Sequence, residues 1–450
     1  MTRLKGILCG AVIAALLCGC AYLSPDPESL LSPPMLSSEQ ESIRSALMDS
    51  LDAFTKNKVS LKYPAAGEYR TAFIKADLIA GDGIEEAIAF YTLPDASGDS
   101  LVRINLLRRR EEGGWYSACD VAGAGTDIEQ VVFAKESGGE LILGVSWTGI
   151  SQKGKRLIFY RWQSSPALLR ASAEVTCDAF ALQDMDLDGR DDLFLFYLAQ
   201  PENVTNQTVS RPAYQMDRIS IPDLSLAVID SVELSSQVTS ISRITAGLVS
   251  KGTPALFVDG LTAEGELSTQ ILYYQENELQ NPLLANLTPT LRPAGSFSAD
   301  FKGDGILDLP FQRIFPGHSQ LTLADQQQYT AWYRYENGAL ALTAAVYRDP
   351  MGYSLQLPEG WINASVTVSL SQDMTETTYF LWKGELSDRS APLLQVRRMA
   401  EGDPLPPGYS YYNEQDKTFA IRTFTAEETK ADAQLLVLPE QVKYWMTVAD

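Results

Sequence analysis

The stretch QDMDLDGRDDLFLF, residues 183–196, puts five carboxylates within nine positions and then turns abruptly apolar. Asp184, Asp186 and Asp188 alternate, Gly189 follows, and Asp192 comes next, at positions 1, 3, 5, 6 and 9 of one loop. Alternating carboxylates in a tight turn aim several oxygens inward, which suits a hard cation such as Ca2+ that takes about six to eight of them. Gly189 lets the chain reverse where a side chain would clash. An EF-hand would place Glu at position 12, but that position is Leu195, inside a strand-like run. The spacing therefore predicts a cation loop running into a β-strand. A catalytic metal needs an open position and usually a base beside it. No histidine or second acidic cluster adjoins this loop in sequence. The expected ion is one structural Ca2+.

In these residues the chain resembles the FG-GAP/VCBS repeat of integrin-α-like propellers, whose motif reads roughly D-x-[DN]-x-D-G-x-x-D-L. The resemblance implies that Asp184, Asp186, Asp188 and Asp192 are side-chain ligands and that the Arg190 carbonyl adds an oxygen. It also implies a β-propeller blade opened by the loop.

The same loop recurs in weaker form. ADFKGDGILDLPF, residues 299–311, keeps Asp300, Asp304, Gly305 and Asp308 but has Lys302 at position 3, an internal cation in place of a metal. ADLIAGDGIEEAIAFY, residues 76–91, keeps Asp82, Gly83 and Glu86. Two further copies, at residues 136–147 and 250–261, keep the glycine and the strand that follows it. Gly83, Gly139, Gly189, Gly252 and Gly305 are spaced by 56, 50, 63 and 53 residues. A second ladder of turn-then-strand starts, at Trp115, Leu168, Leu224, Leu279 and Leu340, has the same period. Each unit has room for four short strands, and ring closure of such units protects their edges. The expected fold is mainly β: about five blades of four antiparallel strands over residues 59–349, followed by a small α+β domain at 350–450. In that domain Thr425 and Glu428 predict a capped helix reaching about residue 436 and stopped near Pro439.

The N-terminus bears on location. Arg3 and Lys5 precede an apolar run at residues 7–17, too short for an ordinary membrane span. The run ends in Leu17-Cys18-Gly19-Cys20, which resembles a bacterial lipobox. That resemblance implies cleavage of residues 1–19, lipidation of Cys20 with palmitate-like chains, and anchoring of the protein at the extracytoplasmic face of a cell membrane. A Pro-rich tether at 20–36 and an N-terminal helix at 37–58 would follow. That helix is capped by Ser38 with Glu41 and has Ile43, Leu47, Leu51 and Phe54 at helical spacing.

Loss of Arg3 and Lys5 leaves 34 basic against 57 acidic residues, a net charge of −23 from the full-length −21. That balance opposes nucleic acid and anionic lipid. Cys119 and Cys177 remain, 58 residues apart. An exported compartment permits a disulfide between them, or they occupy like places in adjacent units.

Catalytic motifs are scarce. His318 is the single histidine, which removes His-rich zinc sites, and no P-loop or G-x-S-x-G elbow is present. The aromatic runs at residues 159–162 and 332–335 read as strand packing or as sugar-stacking faces. The leading expectation is a surface lipoprotein, not an enzyme, that binds a protein or glycan. The alternatives are an envelope polysaccharide-degrading enzyme of lyase type, needing a Lys, Arg or Tyr base in a cleft, and a structural envelope subunit.

Overall fold

The computed structural model describes residues 37–51, 58–79, 82–93, 101–136, 139–149, 154–198, 213–220, 226–400, 402–414 and 417–448. The expected signal peptide, the tether and Cys20 lie outside these residues, as do Leu224 and the predicted helical position Phe54.

The described residues are mainly β and form six antiparallel sheets of four or five strands in succession. The first comprises Phe73–Ala76, Glu86–Thr92, Val102–Arg109 and Trp115–Ala122, with Ser60–Lys62 added to its second strand. The second runs Asp127–Lys135, Leu141–Thr148, Lys155–Ser164 and Ala167–Cys177, and the third Ala179–Gln183, Asp192–Leu198, Tyr214–Ser220 and Val228–Glu233. Val238–Ser250, Thr253–Thr262, Glu266–Gln275 and Glu278–Gln280 make the fourth, with Arg292–Pro293 on its third strand. All four are simple meanders, as the repeat predicts. In the fifth, the first strand shrinks to one bridge between Ala299 and Asp308. Asp308–Ile314, Gln328–Glu336 and Ala339–Asp349 are then joined by Tyr353–Gln356 and by Met446–Val448 from the far end of the chain. The segment past residue 349 thus pairs directly with the last repeat.

Glu86–Thr92, Leu141–Thr148 and Asp192–Leu198 are buried along most of their length, because both faces of each sheet are covered. Ile88 and Phe90 pack with Val131, Leu143 and Trp147 of the second sheet. Phe159 and Leu157 of the second pack with Leu193 and Leu195 of the third. One cluster joins the third, fourth and fifth sheets, and another the fifth and sixth. The alternate residues Ala87, Ala89 and Tyr91 turn to the opposite side and meet Ile43 and Leu47 of α1, Ser38–Asp49. That helix takes the face of the first sheet that a ring-closing sheet would need.

Two caps differ from expectation. Ser37, not Ser38, caps α1: its Oγ accepts from Gln40 N at 3.2 Å, and its N–H donates to Gln40 Oε1 at 3.0 Å. Both serines are chemically able to cap; Gln40 offers the reciprocal bond one residue earlier. The helix expected between Thr425 and residue 436 does not form. Thr425 N and Oγ1 both donate to Glu428 Oε2, at 2.9 and 3.0 Å, closing an isolated turn. Pro439 instead begins α3, Pro439–Trp445, where its lack of an N–H costs nothing. α2, Glu359–Asn363, and α3 flank a sixth sheet of Val366–Leu370, Glu376–Leu381, Pro392–Arg398, Lys417–Thr423 and Ser410–Glu414.

Candidate functional site

The acidic loop joins the first two strands of the third sheet, whose hairpin register places Gln183 opposite Asp192. Met185 is buried as the loop's anchor, and Leu187 and Gly189 take left-handed φ of 61° and 87°. Asp184 accepts from Asp188 N at 3.1 Å and from Gly189 N at 2.9 Å, while Asp188 accepts from Arg190 N at 2.9 Å. The backbone thereby holds Asp184, Asp186 and Asp188 together, with one oxygen from each lying within 4.8 Å of the others. Asp191 faces away and accepts from Lys135 N at 2.7 Å, tying the loop to the second sheet.

Asp192 does not join the other three. It is buried at the start of its strand and faces Arg218, whose Nη2 lies 2.9 Å from Asp192 Oδ2 and also contacts Asp186. The approach to Asp192 misses hydrogen-bond geometry, so Asp192 Oδ2 and Arg218 Nε have no hydrogen-bond partner among the described residues. We therefore read it as an ion contact. Burial pushes the Asp192 carboxyl up to about 6, against the pull of Arg218. The other side of Arg218 meets the fourth sheet: Nη1 donates to Tyr274 Oη at 3.1 Å, and the guanidinium carbon lies 5.1 Å from that ring's centroid.

Arginine at this place is a repeat feature that sequence reasoning missed. In the first sheet Arg108 contacts Asp82 and lies 2.9 Å from Glu86. In the second, Arg161 reaches Glu136 at 2.6 Å. In the fifth, Arg334 takes both oxygens of Asp304 at 3.1 Å and both of Asp308 at 3.0 and 3.2 Å. The fifth loop repeats three of the third loop's bonds, with Asp300 accepting from Asp304 N and Gly305 N and Asp304 accepting from Ile306 N. Its neutralising cation is Arg334, not the expected Lys302. The Arg334 hydrogen bonds come first in holding the exposed Asp304 carboxyl below the usual range, whereas Lys302 acts only through space. Arg108, Arg161, Arg218 and Arg334 recur at one, one and two repeat lengths, a signal present in the sequence.

Three converging carboxylates beside unsatisfied buried polar atoms fit a hard cation. Asp184, Asp186 and Asp188 would hold it; Asp192 is turned to Arg218, and the Arg190 contacts that are seen both fall on Asp188, from its backbone N–H at 2.9 Å and its Nε at 4.0 Å.

A second feature lies at the same loop rim. Between the first and second sheets opens a cleft of about 740 Å³, lined by Asp82, Arg108, Glu136, Arg161, Trp162 and Arg170. Arg108 lies over the Trp162 ring, its guanidinium carbon 5.9 Å from the centroid. The Trp162 indole N–H has no hydrogen-bond partner, and Arg170 makes no ion pair, among the described residues. Trp332, by contrast, stacks on Phe301 at 4.8 Å and serves packing. A similar cleft of about 720 Å³, with Lys251, Tyr273, Tyr274 and Tyr335 on its wall, opens between the fourth and fifth sheets.

Cys119 and Cys177 are both free thiols, on the last strands of the first and second sheets, so no disulfide joins them. His318 is buried, with Nε2 donating to the Val368 carbonyl at 2.9 Å and Nδ1 accepting from Gln327 N at 3.2 Å. Both ring nitrogens are occupied by backbone, which makes it a structural residue.

No family model matches the chain, and no curated protein matches it. Among solved structures it is similar to an exo-1,5-alpha-L-arabinanase from a bovine ruminal metagenomic library: 10% identity, 51% of this chain and 83% of the other, TM-score 0.23. An endo-arabinase from Bacteroides thetaiotaomicron gives 10% identity, coverages of 63% and 96%, and TM-score 0.25. The exotype rhamnogalacturonan lyase YesX gives 11%, 83% and 82%, and 0.28. The expectation that this chain is not an enzyme is corrected on this point, since each structure named is an enzyme. At such scores the likeness carries no substrate or reaction over to this chain. What stands plainly is a mainly β chain of several antiparallel sheets.

Proposed function

We propose that this protein is an extracytoplasmic lipoprotein, anchored through Cys20, that degrades a polysaccharide in the cleft between its first two sheets. The repeats are read as FG-GAP/VCBS-type units, with one structural Ca2+ in the third loop. The observation that carries the reading is the composition of the cleft: an aromatic face, carboxylates and an uncommitted cation together. Trp162 gives a sugar ring a face to stack on. Arg170 is free to neutralise a uronate carboxylate, and its planar fork suits that group. Asp82 and Glu136 are each hydrogen-bonded by an arginine, which fixes their direction for moving a proton.

The calcium role is read as structural, because Asp184, Asp186 and Asp188 are not among the residues that line this cleft. The loop's matching hydrogen bonds in the fifth sheet support the repeat assignment. The test is to incubate protein starting at Ser37 with acidic and neutral oligosaccharides and to follow new chain ends by chromatography. Product from an acidic substrate, lost in Asp82→Asn and Glu136→Gln, is expected. No product from either class would overturn the reading. For the anchor, Cys20→Ser should abolish labelling by a fatty-acid analogue; persistent labelling would contradict it.

A further inference from the structure

We infer that Arg218 is a resident counter-cation of the third acidic loop, which a divalent cation displaces from Asp186 on binding. Arg218 thereby sets the affinity of the site and links its occupancy to the seam with the fourth sheet. This rests on the calcium reading above.

The comparison among repeats makes the case. In the first and fifth sheets one arginine answers two carboxylates, and in the fifth it bonds all four of their oxygens. In the third sheet Arg218 touches only Asp186 and Asp192 of the loop carboxylates Asp184, Asp186, Asp188 and Asp192, and the solvent-facing Arg190 guanidinium comes no nearer than 4.0 Å to Asp188. Arg218 Nε and Asp192 Oδ2 are left without hydrogen bonds, although both residues are buried, at 6% exposure each. The loop is short of positive charge, and its arginine is poorly seated.

A cation held by Asp184, Asp186 and Asp188 needs the Asp186 carboxylate that Arg218 occupies. Two positive charges on one carboxylate repel at contact distance, more strongly in a buried setting than in water. Arg218 therefore has to yield. A second resting place is already at hand: Nη1 bonds Tyr274 Oη at 3.1 Å and lies 3.9 Å from Asp230 Oδ2. Tyr274 in turn contacts Asp230 and lines the cleft between the fourth and fifth sheets. Cation binding thus exchanges an Arg218–Asp186 contact for a firmer Arg218–Tyr274–Asp230 contact across the seam. An all-carboxylate oxygen set of this kind favours Ca2+ over the smaller Mg2+, which gives up its waters reluctantly.

The experiment is calorimetric titration of Ca2+ into EGTA-stripped protein starting at Ser37. Removing the competing charge in Arg218→Gln should tighten Ca2+ binding about tenfold or more. Arg334→Gln, the same change in the fifth loop, should leave it unaltered. Asp230→Asn with Tyr274→Phe removes the second resting place and should weaken binding several-fold; this pair keeps the test open if Arg218→Gln fails to fold. Hydrogen exchange should show Tyr214–Ser220 and Glu266–Gln275 better protected with Ca2+ in the parent and not in that pair. Binding by Arg218→Gln where the parent shows none supports displacement outright. Equal or weaker binding by a folded Arg218→Gln, beside a parent that binds, overturns the exchange and leaves the calcium reading standing. Absence of binding in parent and variant alike overturns both.

Discussion

Arg108 of the first sheet lies over the Trp162 ring of the second, and Arg218 of the third lies over Tyr274 of the fourth in the same way. In these two repeats the same position thus does two jobs: it answers a carboxylate of its own loop and reaches an aromatic ring of the next sheet. At the first seam the ring also borders an open cleft; at the third, the same geometry adjoins the acidic loop. Replacing Arg108 by Ala should leave Glu86 buried without its cation, at a cost of roughly 3–5 kcal/mol. Urea denaturation of Arg108→Ala checks this, and a loss below about 1 kcal/mol would mean that the pair contributes little.

The fifth loop should not become a calcium site by changing position 3 alone. Lys302→Asp supplies the missing carboxylate, but Arg334 still bonds both oxygens of Asp304. Titration should detect no Ca2+ gain in Lys302→Asp and a new site in Lys302→Asp with Arg334→Gln. A full-strength site in the single variant would show that Arg334 does not neutralise this loop.

Asp259 and Arg292 form an ion pair with no solvent exposure, Nη2 to Oδ1 at 2.8 Å, and Asp259 also accepts from Ser298 N and Oγ. Arg292→Met strands that carboxylate, and the expected loss is about 3–5 kcal/mol. Asp259→Asn with Arg292→Met should recover part of it. A chemical-denaturation cycle measures both, and a double variant no better than the single would deny that the stranded charge is the cause.

Burial pushes the Cys177 thiol up to about 12 and raises that of Cys119 as well. Thiolate is the reactive form, so both should resist iodoacetamide in the native protein and react fully once it is unfolded. Rapid native labelling, or a mobility shift on reduction, would contradict free thiols that are buried at Cys177 and half-buried at Cys119.

The glycine ladder was legible because its physics is local. Gly83, Gly139, Gly189, Gly252 and Gly305 all adopt φ between 72° and 88°, which a turn of this hand demands and which other side chains resist. The strand after each glycine was legible as an unbroken apolar run. The arginine ladder was not, because each arginine acts across strands on carboxylates 22 to 32 residues away in sequence. Lys302 was the natural local choice for a cation, and the tertiary partner Arg334 overrode it. Pro439 shows the same limit: the sequence marks a break there, but not whether a helix ends or begins. The helix over the first sheet was foreseen, whereas its use of the face needed for ring closure depends on packing that no local pattern encodes.

The central claim is that the cleft between the first two sheets takes a polysaccharide, and the most direct measurement is a Trp162-dependent binding titration. Acidic oligosaccharides are titrated into the parent protein, Trp162→Ala and Arg170→Ala, with each variant's melting temperature recorded beside it. The account predicts saturable binding by the parent and a loss of roughly tenfold in each variant, about 1.4 kcal/mol, at a temperature where each is folded. Arg170→Ala should leave the melting temperature nearly unchanged, whereas Trp162→Ala should lower it, because Trp162 also packs on the core of the first two sheets. Binding that is indifferent to both substitutions, or absent from the parent with acidic and neutral chains alike, would contradict it.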